Sequence, residues 1–264
     1  MLYTTDGLVI RSRDLGENDR LVTILTPKGQ VTTVAKGARS MKSKLLNLTQ
    51  PYVYGNFEIN QKGNYSWIRG GSSYEMFYRL RDEVDKLFLA AYLCDVAYEV
   101  TGEGVPSVDI LRLTLNTLYA IMTDMRPQEQ IKAVFELRTA GLSGYMPHLD
   151  SCEVCKKENA ENMYFDIMNG ALLCSECLRK RGEIAKKDLR YTYSDINTTD
   201  ILMPLTPAVL SAVRFALSAP QEKIFSFSLA ESDDIELFSK IGEGYLLNHL
   251  ERGFDSLDLY YSVK

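Results

Sequence analysis

Four of the five cysteines fall as Cys152-x2-Cys155, eighteen intervening residues, and Cys174-x2-Cys177. Two such knuckles can place four thiolates around one zinc ion at roughly 2.3 Å each, in the tetrahedral arrangement that zinc accepts. A closed all-sulfur site leaves no position for a substrate water, so it is expected to be structural and the function must be sought elsewhere. Disulfides and an iron–sulfur cluster are the competing uses of four thiols. Residues 1–19 lack the apolar core of a signal peptide, being interrupted by Asp6, Arg11, Arg13 and Asp14. That predicts a reducing cytoplasmic setting, which disfavours disulfides. Symmetric knuckles with this gap are more typical of zinc than of iron–sulfur clusters. His148, four residues before Cys152, is available as a substitute ligand but is read as a bystander. Cys94 lies in the apolar run LFLAAYLCDVAYEV, where a cysteine acts as a small buried hydrophobe.

A formal charge of −5 over 264 residues argues against a nucleic-acid binder only if the charge is evenly spread. It is not. Residues 1–79 carry 11 Lys and Arg against 6 Asp and Glu (net +5), and residues 80–264 carry 19 against 29 (net −10). A basic third on an acidic body points to a polyanion-binding module tethered to something else, with a solvated basic face as the bland alternative. No apolar stretch approaches the 18 residues of a membrane span, so no membrane partner is expected.

The basic third reads as short strands at 7–13, 20–26, 30–36, 52–61 and 65–70, rich in Val, Ile, Thr and aromatics, with breaks at 16–19, 27–29, 37 and 62–64. Five strands in so short a span predict a small closed barrel, of which the OB-fold is the commonest form. From residue 78 the period lengthens to three or four, with Leu80, Val84, Leu87, Ala91, Cys94 and Tyr98 on one stripe and further helices from Pro106, Pro127, Pro207 and Asp233. Helical texture stops at Gly144 and Pro147 and is expected to return after Lys186. The fold class is therefore α+β: a five-stranded OB barrel over 1–79, a helical domain in two parts (80–148 and 184–264), and a zinc module inserted at 149–183.

Neither a Gly-x4-Gly-Lys-Ser/Thr loop nor a Gly-x-Gly-x-x-Gly fingerprint occurs, and the two histidines, His148 and His249, have no partner pattern. Acidic pairs such as Asp82-Glu83 and Asp233-Asp234 read as helix surface or cap positions. The chain is not expected to be an enzyme. The candidate DNA contacts are Arg11, Arg13, Arg20, Lys36, Arg39, Lys42 and Lys44, cations able to neutralise phosphates. Trp67, ahead of Tyr52, Tyr54 and Tyr65, is the candidate stacking face for an unpaired base. Lys156, Lys157, Arg179, Lys180 and Arg181 surround the cysteines and admit either phosphate contact or ordinary solvation.

Three segments, DGLVIRSRDLGENDRLVTILTPKGQVTTVAKGARSMKSKL, FELRTAGLSGYMPHLDSCEVC and YLLNHLERGFDSLD, together resemble the bacterial RecO family of recombination mediators. The resemblance spans nearly the whole chain and is carried best by Arg11, Arg20, Gly37, Ala38, Arg39 and the four cysteines. It implies an OB-fold that contacts single- and double-stranded DNA, annealing of complementary strands without ATP, and a cytoplasmic, nucleoid-associated location. It also implies the partner RecR, assistance to RecA on DNA coated by single-strand binding protein, and a site for that protein's C-terminal tail on the helical domain. Arg112, Arg126, Lys132 and Arg138 fall in that last region. The rival reading is a zinc-containing interaction adaptor whose barrel binds a peptide; a zinc-ribbon enzyme lacks a paired carboxylate or nucleophile.

Overall fold

The computed structural model describes residues 1–63, 65–158, 162–180 and 201–264, which fall into two compact units, 1–123 with 254–264 and 124–253. The helical return expected after Lys186 and the boundary at 183/184 lie outside the described residues, as does Arg181. Among the described residues no helix is long and apolar enough to cross a membrane.

In the first unit β1 (Leu2–Leu15), β2 (Asp19–Thr26), β3 (Gly29–Ala35), β4 (Tyr54–Lys62) and β5 (Tyr65–Glu75) close into a barrel in the order β1-β2-β3-β5-β4. Every pairing is antiparallel except β3 with β5. Closure gives each strand a neighbour on both sides, which is how a small barrel hides its edges, and the expected five-stranded barrel is what forms. Its interior holds Val9, Val22, Ile24, Ala35, Phe57, Ile59 and Ile68. The short helix α1 (Leu45–Leu48), which carries no sequence signal strong enough to predict, adds Leu45 and Leu48 to that core. The fourth strand begins two residues later than its sequence pattern suggests, because Tyr52 adopts a left-handed turn at φ 68°.

One irregularity in β1 decides what the barrel displays. The residues facing Ile24 and Thr23 of β2 are Val9 and Arg11, so Ile10 is an extra residue, a β-bulge. Strand side chains alternate between faces, and a bulge resets that alternation. Val9 therefore points into the core, whereas Arg11 and Arg13, two and four residues on, point outward opposite Thr23 and Leu21.

Helices α2 (Val84–Val100) and α3 (Val108–Met122) and the C-terminal α8 (Asp255–Ser262) complete this unit. Gln30 anchors α2 to the barrel: its side-chain amide donates to the carbonyls of Tyr98 (2.6 Å) and Thr101 (2.9 Å), satisfying acceptors that a helix C-terminus leaves open. Beside it Gly29, at φ 108°, lies where a Cβ would meet the Gly102 carbonyl oxygen, so only glycine lets the β2–β3 hairpin approach the α2–α3 loop. The far side of α2 meets α8, with Tyr92 edge-on to Phe254 at 5.6 Å and Ser256 Oγ donating to Asp95 Oδ2 at 2.8 Å. Burial on both sides explains why α2 lacks the single stripe expected of it. Leu89, Ala90, Tyr92, Leu93, Val96 and Ala97 are all buried, while Val84 is 57% exposed.

The second unit packs α4 (Gln128–Leu142), α6 (Pro207–Ser218) and α7 (Ser232–Leu250) with a four-stranded sheet in the order β6-β8-β7-β9, formed by β6 (His148–Cys152), β7 (Met163–Asp166), β8 (Ala171–Cys174) and β9 (Leu202–Leu205). Helix α6 starts on Thr206, whose Oγ accepts from the Val209 amide at 3.1 Å, with Pro207 at the first turn. Helices α4 and α7 approach closely at Gly242, where a Cβ would sit 2.9 Å from Ala133 Cα. Between them Lys132 is fully buried, with its ammonium 3.0 Å from Glu136 and 2.7 Å from Glu243. Removing one partner of a buried ion pair leaves uncompensated charge in a low-dielectric interior. Lys132→Ala is expected to lower the unfolding free energy by about 3–5 kcal/mol, read from urea melts; a loss below about 1 kcal/mol would assign the cluster only the strength of an exposed pair.

Candidate functional site

The four cysteines come from two adjoining pieces of the second sheet. Cys152 ends β6 and Cys155 follows in a turn that closes when the Lys156 amide donates to the Cys152 carbonyl (2.8 Å), with Lys156 in the left-handed region at φ 59°. Cys174 ends β8, and Cys177 lies in the short helix α5 (Ser175–Lys180) that follows. Their four sulfurs lie within 4.8 Å of one another, with Cys155 and Cys174 at 3.7 Å. Tetrahedral coordination at a metal–sulfur distance of about 2.3 Å separates sulfurs by about 3.8 Å, so the donor set fits one metal ion. The surroundings favour thiolate at one ligand. Burial opposes the charge on Cys152, but amides of Cys155, Cys174 and Val154 and the Cys155 thiol point hydrogen bonds at its sulfur and bring it down to about 6. His148 is outside the cluster, and Cys94 is buried in α2 with its thiol pushed up by desolvation.

The module is fixed to its own unit. Arg214 of α6 donates from Nε to the Leu149 carbonyl (2.8 Å) and from a terminal nitrogen to that of Asp150 (3.0 Å), holding β6 just ahead of Cys152. The cations around it are unequal. Lys157 (3.0 Å) and Lys180 (3.1 Å) both bind Glu176, and those bonds, that from Lys157 first, hold its carboxyl down to about 2. Lys156 and Arg179 are exposed.

On the barrel the cations separate by side. Register across the sheet gives one outward row, Arg13–Leu21–Val34–Trp67, over β1, β2, β3 and β5. A second row runs Arg11–Thr23–Thr32. Lys36 just beyond β3 reaches over both Tyr65 (5.4 Å) and Trp67 (5.6 Å), whose rings lie 5.6 Å apart. Arg11, Arg13, Lys36 and Trp67 thus share one face. Arg39 lies on the loop after β3, tied to the β1–β2 turn through the Gly16 carbonyl (3.0 Å) and Asp14 (3.3 Å). Lys42 and Lys44 on that loop are exposed and, like Arg13 and Lys36, make no ion pair among the described residues. Arg20 differs from these in burial, although it shares Asp14 with Arg39. Its guanidinium is largely buried, donates to the Leu46 carbonyl (3.1 Å) and Thr49 Oγ1 (3.3 Å), and lies 3.7 Å from Asp14, so it clamps α1 to the barrel.

A cleft of about 580 Å³ opens beside the outward rows, between β1–β3 and the α2 face bearing Ala91, Asp95 and Tyr98. Sequence reasoning missed it, since the helix stripe and the strand alternation meet only in three dimensions. Arg11 enters it, bonded to Asp95 Oδ1 at 2.9 Å and 3.5 Å from the Tyr98 ring centre. Of the cations placed near an acidic tail, Lys132 is fully buried, Arg138 is bonded to the Leu217 carbonyl, Arg126 donates to the Phe227 carbonyl, and Arg112 is exposed on α3.

An outward cationic and aromatic face on a closed barrel of OB strand order, in a chain that also carries four cysteines placed to hold one metal ion, defines the class: an OB-barrel protein with a four-cysteine knuckle module. Comparison with known proteins gives the particular family. The family models described as "Recombination protein O N terminal" and "Recombination protein O C terminal" match residues 1–77 and 81–191. The DNA repair protein RecO of Acetivibrio thermocellus is 30% identical over 96% of this chain and 94% of its own length. That of Clostridium acetobutylicum is 26% identical over 100% and 98%, and that of Alkaliphilus metalliredigens 35% identical over 67% and 72%. The chain belongs to the RecO family of DNA repair proteins.

The two environments of Arg13 and Arg20 separate by stability. Arg20→Ala leaves a carbonyl and a hydroxyl without their donor and is expected to cost roughly 1–3 kcal/mol in a urea melt, whereas Arg13→Ala should change it by no more than about 0.5 kcal/mol. Equal losses would contradict the clamp assigned to Arg20.

Proposed function

We propose that this chain is a recombination mediator of RecO type that binds single- and double-stranded DNA on the outward β1–β2–β3–β5 face. The observation that carries this reading is the Arg13–Leu21–Val34–Trp67 row with Lys36 poised over Tyr65 and Trp67. Cations without acidic partners can exchange counterions for phosphates, and the flat rings beside them can stack unpaired bases. The same cationic surface screens two strands from each other, which supports annealing without ATP. The reading assigns the chain no bond-making step. RecR, RecA loading and the tail of single-strand binding protein enter through family membership, and the acidic body supplies the surface for protein partners. The cytoplasm is the corresponding location.

Zinc is the metal proposed for Cys152, Cys155, Cys174 and Cys177. When bound it supplies a cross-link between the end of β6 and the start of α5, with no chemistry on DNA.

Cys174→Ser is expected to lower metal content below one equivalent and the melting temperature together, measured by elemental analysis and calorimetry; one full equivalent retained would overturn the four-ligand set. Fluorescence anisotropy with a labelled single strand over a salt series tests the face. Lys36→Ala should weaken binding and flatten the salt dependence by about one counterion, and Trp67→Ala should cost about 1–3 kcal/mol. Binding indifferent to salt and to both changes would put a peptide groove in place of the DNA face.

A further inference from the structure

The cleft beside α2 is separate from the metal cluster and adjoins the row that meets phosphates, sharing Arg13 and Leu21 with it. We propose that it is a subsite for one unpaired nucleobase of a single strand lying on the outward barrel face, an inference that rests on the DNA reading above. Its volume of about 580 Å³ is in the range of small-molecule sites, about 300–1,000 Å³. Its contents suit a base better than a phosphate.

Arg11 is held from two sides, by Asp95 and by the Tyr98 ring, and Asp95 is itself fixed by Ser256. A guanidinium already neutralised by a carboxylate is a weak phosphate ligand. It remains a planar, delocalised surface, and bases stack on such surfaces as they do on aromatic rings. Leu21, Pro51 and Tyr52 give the cleft apolar walls, while Thr23 and Thr32, with hydroxyls 3.2 Å apart on neighbouring strands, give it groups that both donate and accept. Arg13 is exposed and also lines the cleft, placing an unpaired cation where the phosphate joined to the inserted nucleotide would lie. A paired base would have to be extruded from its duplex at a cost of a few kcal/mol. The cleft therefore favours single strands over duplex.

The test uses the full-length protein and an oligothymidylate carrying one 5-iodo-2′-deoxyuridine, a photoreactive base, with crosslinked residues mapped by peptide mass spectrometry. Crosslinks at Tyr52 or Tyr98 are expected. Ala91→Phe, which puts a ring into the cleft from the α2 wall and leaves every cation of the face in place, should abolish them. It should also weaken single-strand binding about tenfold while changing duplex binding less than twofold. Crosslinks confined to Tyr65 and Trp67 would overturn the cleft and leave the DNA face standing. An absence of crosslinks anywhere on the barrel would remove both. A folded Ala91→Phe protein that keeps the Tyr52 or Tyr98 crosslinks also overturns the proposal. If that variant does not fold, the wild-type crosslink map decides.

Discussion

The extra residue in β1 is the constraint on which the outward face depends. Val9 has to remain in the barrel core, packed among Val22, Ile24 and Phe57, and its peptide pairs with Tyr52 and Val53 on the other side of the strand. With strict alternation after Val9, Arg11 and Arg13 would follow it inward. Two guanidinium groups in an apolar barrel would carry a desolvation cost that no partner there could offset. Ile10 absorbs the phase shift, so one strand contributes to the core in its first part and to a charged surface in its second. The placement of Arg11 against α2, the cross-strand row ending on Trp67, and the cleft itself all follow from that single insertion.

Much of this architecture is legible in the sequence, for reasons that also explain where legibility ends. The barrel strands carry Val, Ile and Thr at close spacing between Gly- and Asn-rich breaks, and a five-strand set of that size has few ways to hide its edges. The knuckles are legible because ligand spacing is a local property. The bulge is not, since an apolar Ile10 between two apolar neighbours and an arginine reads as uninterrupted strand. Nor are β6 to β9: strands of four or five residues give periodicity too little length to register. Arg20 and Arg13 look alike in a charge count. They differ because α1, itself too short to be read, presents the Leu46 carbonyl and Thr49 hydroxyl to one and not to the other. Lys132 shows the same limit in a helix, where four-residue spacing to Glu136 suggests a surface pair and only the close approach of α7 at Gly242 buries it.

Net charge by segment is thus a poor guide to where a polyanion would settle. Among the cations of the barrel module, Arg11 is compensated by Asp95, and Arg20 and Arg39 share Asp14. Arg13 and Lys36 on the outward face, and Lys42 and Lys44 on the adjoining loop, make no ion pair among the described residues. On the proposed reading these set the salt-dependent part of binding, while the fixed Arg11 and the rings of Tyr65 and Trp67 set the part that responds to base stacking. The two parts have different physical ranges. Phosphate attraction acts over a Debye length of about 8 Å at physiological salt, whereas stacking requires van der Waals contact.

That difference in range bears on how one surface could both hold a strand and release it to a complement. Long-range attraction gathers strands without fixing their bases, and it remains when a second strand arrives because it does not use the pairing edges. On the proposed reading, stacking on Trp67 and Tyr65 would leave those edges exposed, since a base lying flat on a ring presents its rim to solvent. Pairing with a complement then replaces contacts to a few protein rings with stacking along a duplex, and each base that leaves the surface is exchanged for a base pair. No nucleotide hydrolysis is required if the duplex is the lower state. On the proposed reading the protein would have only to hold single strands more weakly than they hold each other, a requirement that a sparsely charged face meets better than a densely basic one.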